Sequence, residues 1–137
     1  MDTLQVDIVS AEEEIFSGAV DHVTAMGEVG ELGVHPGHTP LLTHLKPGEI
    51  RLAHNGTEDI YYVSGGVLEV QPHLVTVLAD TITRASDLDE VAAVEAKKRA
   101  EKALKDKKSD LDFNAASAEL AQAMAQLRAI SRLKDRL

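Results

Sequence analysis

The chain has no cysteine, which closes off disulfides and thiolate metal sites and suits a reducing compartment. No apolar run approaches the roughly 18 residues that a membrane-crossing helix needs. The first residues, MDTLQVD, are acidic and lack the pattern of a secretory signal. A soluble, cytoplasmic protein is expected, reaching a membrane only through a partner, with no direct insertion. Basic residues are scarce at first: residues 1–84 hold three against thirteen acidic ones, whereas residues 85–137 hold eleven against ten. So acidic a first part argues against nucleic acid, whose phosphates it would repel. There is no Gly-rich phosphate loop with a following Lys, and Ser64-Gly65-Gly66 is not a nucleophile elbow, because G-x-S-x-G is absent. Nothing pairs a nucleophile with a base. These absences point to a binding or structural module rather than an enzyme.

The segment from Gly30 to Pro47, GELGVHPGHTPLLTHLKP, carries three glycines and three prolines. Glycine supplies positive φ and proline fixes φ and removes a donor, so a series of corners between short extended pieces is expected here, anchored by Leu41, Leu42 and Leu45. Glu31, His35, His38 and His44 sit among those corners and should be exposed, as suits either a recognition surface or three ordinary turns of an all-β domain. The pair His35 and His38 is not assigned to a metal, since turns give no convergence that the spacing can fix.

Around this segment lie short strands: Leu4–Ile8, Ile15-Phe16, Val20–Met26, Ile50–Leu52, Ile60–Val63, Val67–Val70 and Leu74–Ala79. Asn55-Gly56 is a two-residue hairpin signal, and Gly65-Gly66 and Pro72-His73 are further turns. So many apolar positions at this spacing predict an antiparallel β-sandwich of two packed layers.

No Gly or Pro occurs from Ala85 to the end, and alanine becomes abundant. The expected division is a sandwich over residues 1–85 and an antiparallel two-helix hairpin over 86–137, an α+β chain. Ser86-Asp87-Leu88-Asp89-Glu90 offers N-cap candidates, with Glu90 three residues after Asp87 as in a capping box, and a first helix over Leu88–Lys105 should follow. Lys107-Lys108-Ser109-Asp110 reads as a polar break. A second helix is expected from about Asn114, with a stripe of Leu120, Met124, Leu127 and Ile130. The first helix presents Leu88, Ala92, Ala96, Ala100 and Ala103. An alanine buries about 0.8 kcal/mol of methyl against 1.5–3 for a leucine, so the hairpin should pack closely but be held weakly; it is either permanently docked or able to open.

Positive charge falls in two clusters. Lys97, Lys98, Arg99, Lys102, Lys105, Lys107 and Lys108 form one; Arg128, Arg132, Lys134 and Arg136 form the other, with Arg128 and Arg132 on one helix face. Cations at a helix C-terminus gain only ~0.3–1 kcal/mol from the macrodipole, so an acidic partner surface is the functional alternative.

Two stretches, GELGVHPGHTPLLTHLKPG and SGGVLEVQPHLVTVLADT, resemble the epsilon subunit of the bacterial F-type ATP synthase, and the likeness extends from Val6 to the C-terminus. The resemblance implies a central-stalk rotor subunit, without catalysis or cofactor of its own, at the cytoplasmic face of the bacterial inner membrane. Its partners would be the gamma subunit, the c-ring, and the alpha and beta subunits. By the same comparison Ser10, Glu31 and His38 belong to the surface facing the rotor. Arg128, Arg132, Lys134 and Arg136 match a basic tail that inserts among the catalytic subunits and blocks ATP hydrolysis. Some relatives bind ATP through Ile/Leu-Asp-x-x-Arg-Ala; here the motif reads Leu88-Asp89-Glu90-Val91-Ala92-Ala93. With Ala92 in place of the arginine, ATP binding is not expected, and Asp89 is left as a first-turn acid. The reading that needs no family is a free-standing cytoplasmic sandwich binding a small ligand.

Overall fold

The computed structural model describes residues 2–106 and 109–136. Nine strands come first: β1 (Leu4–Ser10), β2 (Glu14–Val20), β3 (His22–Gly27), β4 (Gly30–Val34), β5 (Leu41–His54), β6 (Thr57–Val63), β7 (Gly66–Val70), β8 (Leu74–Ala79) and β9 (Ile82–Arg84). A 3₁₀ turn at Ala85–Asp87 leads into α1 (Glu90–Lys105) and α2 (Asp110–Asp135).

The strands form a sandwich whose two layers share β5. Its first half, Leu41–Leu45, pairs with β7 and extends the row β2-β1-β8-β7. Its second half, Gly48–His54, pairs with β6, and β3 and β4 lie on its other side. Every pair is antiparallel except β1 with β8, which is parallel from Gln5↔Leu74 to Ser10↔Ala79. The period of two puts Leu4, Val6 and Ile8 of β1 inward with Val75 and Val77 of β8. They meet Ile50 and Leu52 of β5, Val23 of β3 and Tyr61 of β6 in one fully buried core.

The corner-rich segment is more regular than its composition suggests. β4 and the first half of β5 are strands, and Pro47 lies inside β5. The β3–β5 register jumps there, from Ala25↔Ile50 to Gly27↔Leu45. The β7 ladder stops at Leu45 and the β6 ladder begins at Gly48. The donor that proline lacks falls between the two ladders, which is where a sheet tolerates it. Of the three expected anchors, Leu45 is buried and Leu41 packs on the core, but Leu42 is 69% exposed.

Both helices depart from expectation in their starts and faces. Asp89, not Asp87, caps α1: its Oδ1 accepts from the Ala92 amide at 3.0 Å. α2 begins at Asp110, four residues before the expected Asn114. Ser109 Oγ accepts from the Asp112 amide at 3.1 Å, so a residue read as part of a break is a cap. Ala92 and Ala103 are exposed, and the buried positions of α1 are Ala93 and Ala100. On α2, Leu120 and Leu127 are half-buried and Met124 is exposed, whereas Ala116, Ala123, Ala125, Ala129 and Ile130 are buried. Close approach selects methyls for the centre of each contact and leaves the longer side chains at its edges.

α1 packs chiefly on α2, and α2 packs on β5 and β6. α2 is thus the inner helix, facing two ways. Ala125, Ala129 and Leu133, four apart, meet Ile60 and Tyr62 of β6 together with Ala85 and Leu88. Ala116, Ala123 and Ile130 recur every seven residues, matching Ala93 and Ala100 of α1, the interval of a two-helix seam.

Candidate functional site

The seat of α2 is rimmed by charge. Arg132 Nε donates to Glu49 Oε2 at 2.5 Å, tying α2 to β5. Arg136 Nη2 lies 2.6 Å from Glu58 Oε1, tying the end of α2 to β6. Lys134 Nζ lies 2.8 Å from Glu90 Oε2, tying α2 to the start of α1. Three of the four cations expected to serve a partner are therefore held within the chain. Arg128 makes no ion pair with any described residue; it lines a small cleft of about 180 Å³ with Arg132, Glu31, Glu49 and Arg51.

Arg51, on β5, occupies the floor of this rim. Its Nη2 lies 2.7 Å from Glu31 Oε1, its Nη1 3.8 Å from Glu49 Oε2 and its Nε 4.0 Å from Glu58 Oε2. The Arg51 side chain is 12% exposed and Glu49 11%, so these charges are screened less than surface pairs. Nε itself is buried without a hydrogen-bond partner. Glu49, Arg51 and Glu58 were not singled out by the sequence reading. Their partners stand as far as 83 residues away, a separation that no local pattern reports. The available signal was the complement of an acidic first part and a basic tail.

Tyr62 lies under α2. Burial pushes its pKa up, offset in part by Gln126, which approaches the hydroxyl without closing a hydrogen bond. Tyr61 is raised likewise by burial, against the lowering effect of Arg84, whose guanidinium stands 5.3 Å over its ring.

The expected rotor-facing residues do not form one cluster. The registers Gly27↔Leu45, Leu45↔Gly66, Gly66↔Ala79 and Ala79↔Ser10 run across one end of the sandwich. Ser10 lies at that end, its hydroxyl facing the Glu13 carbonyl at 3.4 Å. Glu31 follows the β3–β4 turn there, beside Val29, which is 97% exposed. His38 lies at the opposite end, near the β7–β8 turn, where Gly37 N donates to the Pro72 carbonyl. Its Nδ1 donates to the Thr39 carbonyl at 2.7 Å. His35 stacks on His22 with ring centroids 4.9 Å apart.

Between these ends runs a face that the helices leave uncovered. Val9↔Leu78, Leu78↔Val67 and Val67↔His44 are direct cross-strand neighbours on β1, β8, β7 and β5. Leu78 is 53% exposed, and the exposed Leu42 lies on the same face of β5 as His44. This apolar row was also missed, because outward and inward strand residues look alike until the layer is known.

Asp89 is occupied in capping, and Ala92 stands exposed beside it. On α1, Lys97, Lys98, Lys102 and Lys105 make no ion pair with described residues, and Arg99 pairs with Glu119 of α2 at 2.8 Å. Lys107 and Lys108 lie outside the described residues. No group of His, Asp and Glu suited to a metal ion occurs among the described residues. No helix among them is long and apolar enough to cross a membrane.

Two family models match the chain. The ATP synthase delta/epsilon chain beta-sandwich domain matches residues 3–85, and the delta/epsilon chain long alpha-helix domain matches residues 86–131. The ATP synthase epsilon chain of Nitrosococcus oceani is 61% identical over 136 residues, 98% of this chain and 97% of that one. That of Acinetobacter baumannii is 60% identical over 137 residues, 99% of each. A chain in the structure of Euglena gracilis mitochondrial ATP synthase shares the fold, with a TM-score of 0.87 at 20% identity, over 95% of this chain and 82% of that one.

Proposed function

The chain belongs to the ATP synthase delta/epsilon family, as an epsilon subunit and a non-catalytic part of that complex, and we propose that it serves the rotor as both coupler and brake. The sandwich joins the gamma subunit to the c-ring, at the cytoplasmic face of a bacterial inner membrane. The helices regulate hydrolysis on the alpha and beta subunits. The coupling reading is supported by the uncovered row of Val9, Leu78 and Val67 with Leu42, since an exposed apolar face on a soluble domain marks a protein contact. Ser10, Glu31 and Val29 offer a second contact at one end of the sandwich, and His38 a third at the other.

The brake rests on one observation: α2 is seated largely by methyl groups, with three ion pairs at the rim, of which Lys134–Glu90 is half-exposed while Arg132–Glu49 and Arg136–Glu58 have mostly buried carboxylates. Alanines contribute little burial, and exposed pairs contribute only about 0–1 kcal/mol each. Leaving the seat therefore gives up little apolar burial, and it frees Arg132, Lys134 and Arg136 together with Arg128 for an acidic surface of beta. Truncation before Arg128 should raise the ATPase rate of the assembled enzyme and leave rotor assembly intact. Reversing Arg128 and Arg132 together should do the same. Unchanged hydrolysis in both, in an enzyme shown to contain the subunit, would place the brake elsewhere.

ATP is not part of this reading. Ala92 brings no guanidinium to the motif, and the Asp89 carboxylate is engaged by the α1 backbone. Calorimetry on the isolated chain should find no affinity tighter than about 1 mM, equivalent to roughly −4.1 kcal/mol.

A further inference from the structure

We propose that Arg51 is a charge relay, through which loss of the Glu31 carboxylate to a partner weakens the hold of the sandwich on α2. This rests on the reading of Glu31 as a partner-facing residue. The geometry has three parts. Glu31 is accessible, with 55% of its side chain exposed, and among the described residues its one ion-pair partner is Arg51. Arg51 also faces Glu49 and Glu58, and each of those carboxylates binds a cation of α2, Arg132 or Arg136. Glu31, Arg128 and Arg132 line the same cleft. Three carboxylates thus balance Arg51, Arg132 and Arg136, with Arg128 at the edge.

Removing one carboxylate upsets that balance in a definite direction. While Glu31 holds the Nη2 side of the Arg51 fork, Glu49 and Glu58 sit at 3.8 and 4.0 Å from it, beyond hydrogen-bond reach, and are left to the helix. When a partner's cation or donor takes Glu31, the Arg51 fork turns to Glu49 and Glu58. It then competes with Arg132 and Arg136 for the same oxygens. Contact at the end of the sandwich and release of α2 are thereby linked, and by reciprocity a released helix leaves Glu49 and Glu58 free to draw Arg51, so that Glu31 is easier to capture. The two arrangements of one arginine supply the two-state element that such a linkage needs.

The test uses the isolated full chain, with Glu31→Gln standing for a captured carboxylate. Amide hydrogen exchange of Ala125–Ile130 reports the docking of α2. Glu31→Gln should speed that exchange about two- to fivefold, the range that a pair of this exposure supports, with the core strands β1 and β8 unchanged. In an Arg51→Met background, which keeps the stem and removes the fork, the same substitution should have no effect. Arg51→Lys, which offers a single point of charge, should retain only part of it. Equal exchange in the parent chain and Glu31→Gln overturns the relay. An undiminished ratio in Arg51→Met also overturns it, because the effect then bypasses Arg51. A chain that shows the relay yet fails to travel with gamma and the c-ring would instead count against the rotor reading.

Discussion

Tyr62 carries an unpaired hydroxyl beneath the helix seat, and burial raises its pKa above the ordinary ~10. The neutral form is therefore the one the folded state prefers. Its contribution is fully present below about pH 10 and is lost as pH rises from there through the folded value. Helix docking should loosen in that alkaline range, seen as faster exchange in α2 and as a late step in tyrosine absorbance. Tyr62→Phe should be neutral or stabilising by up to about 1 kcal/mol at pH 8, since it removes an unmade bond, and should flatten the alkaline loss. A clear loss of thermal stability at pH 8 would mean that Gln126 does bond to the hydroxyl in solution. Gly66 makes the opposite case. Its φ is +146°, and a Cβ there would stand 2.1 Å from the Leu78 carbonyl oxygen. Gly66→Ala should cost roughly 2–5 kcal/mol in denaturant unfolding. Gly65-Gly66 was readable as a turn. The Leu78 carbonyl that forbids a side chain was not, because its nearness is a property of the β7–β8 pairing.

At the scale of elements, α2 is set by small residues, and size is the lever on it. Ala129 is fully buried against β6. Ala129→Leu should cost docking about 1–3 kcal/mol by overpacking. Exchange in α2 should rise while β1 and β8 stay protected, and the assembled enzyme should hydrolyse ATP more slowly, because the brake is released from its seat. Faster hydrolysis would reverse the proposed sense of the switch. The existence and order of both helices were legible in the sequence, from the alanine content and the loss of Gly and Pro after Arg84. Their faces were not. A stripe of Leu120, Met124 and Leu127 carries more apolar area than Ala125 and Ala129. Nothing in a single helix reveals that its neighbour comes too close for leucine. The Asp89 and Ser109 caps were likewise obscured by adjacent residues of equal capping propensity.

Across the whole molecule the sandwich holds nearly all the large buried side chains, and the helices add mostly alanines. Residues 2–86 alone should therefore unfold cooperatively and still bind gamma; a molten fragment would show that α2 is needed to close the β5–β6 surface. The sandwich was legible as short strands between turn residues, while β4 and the continuity of β5 through Pro47 were hidden by the same corner residues that marked the segment, and β9, three residues long, is too short to show a period. The pairing of β1 with β8 has a consequence for how the chain is made. Leu4–Ser10 is made before the other eight strands, yet its parallel neighbour is complete only at Ala79. The amino-terminal strand must wait, with β2 alone beside it, until more than half of the chain has emerged. Closure is a late and long-range event, of the kind that makes β-sandwiches slow folders. The residues that seat α2, on β5, β6 and the turn at Ala85, all precede it in the chain, so the helix docks onto a surface whose own closure depends on that distant pairing.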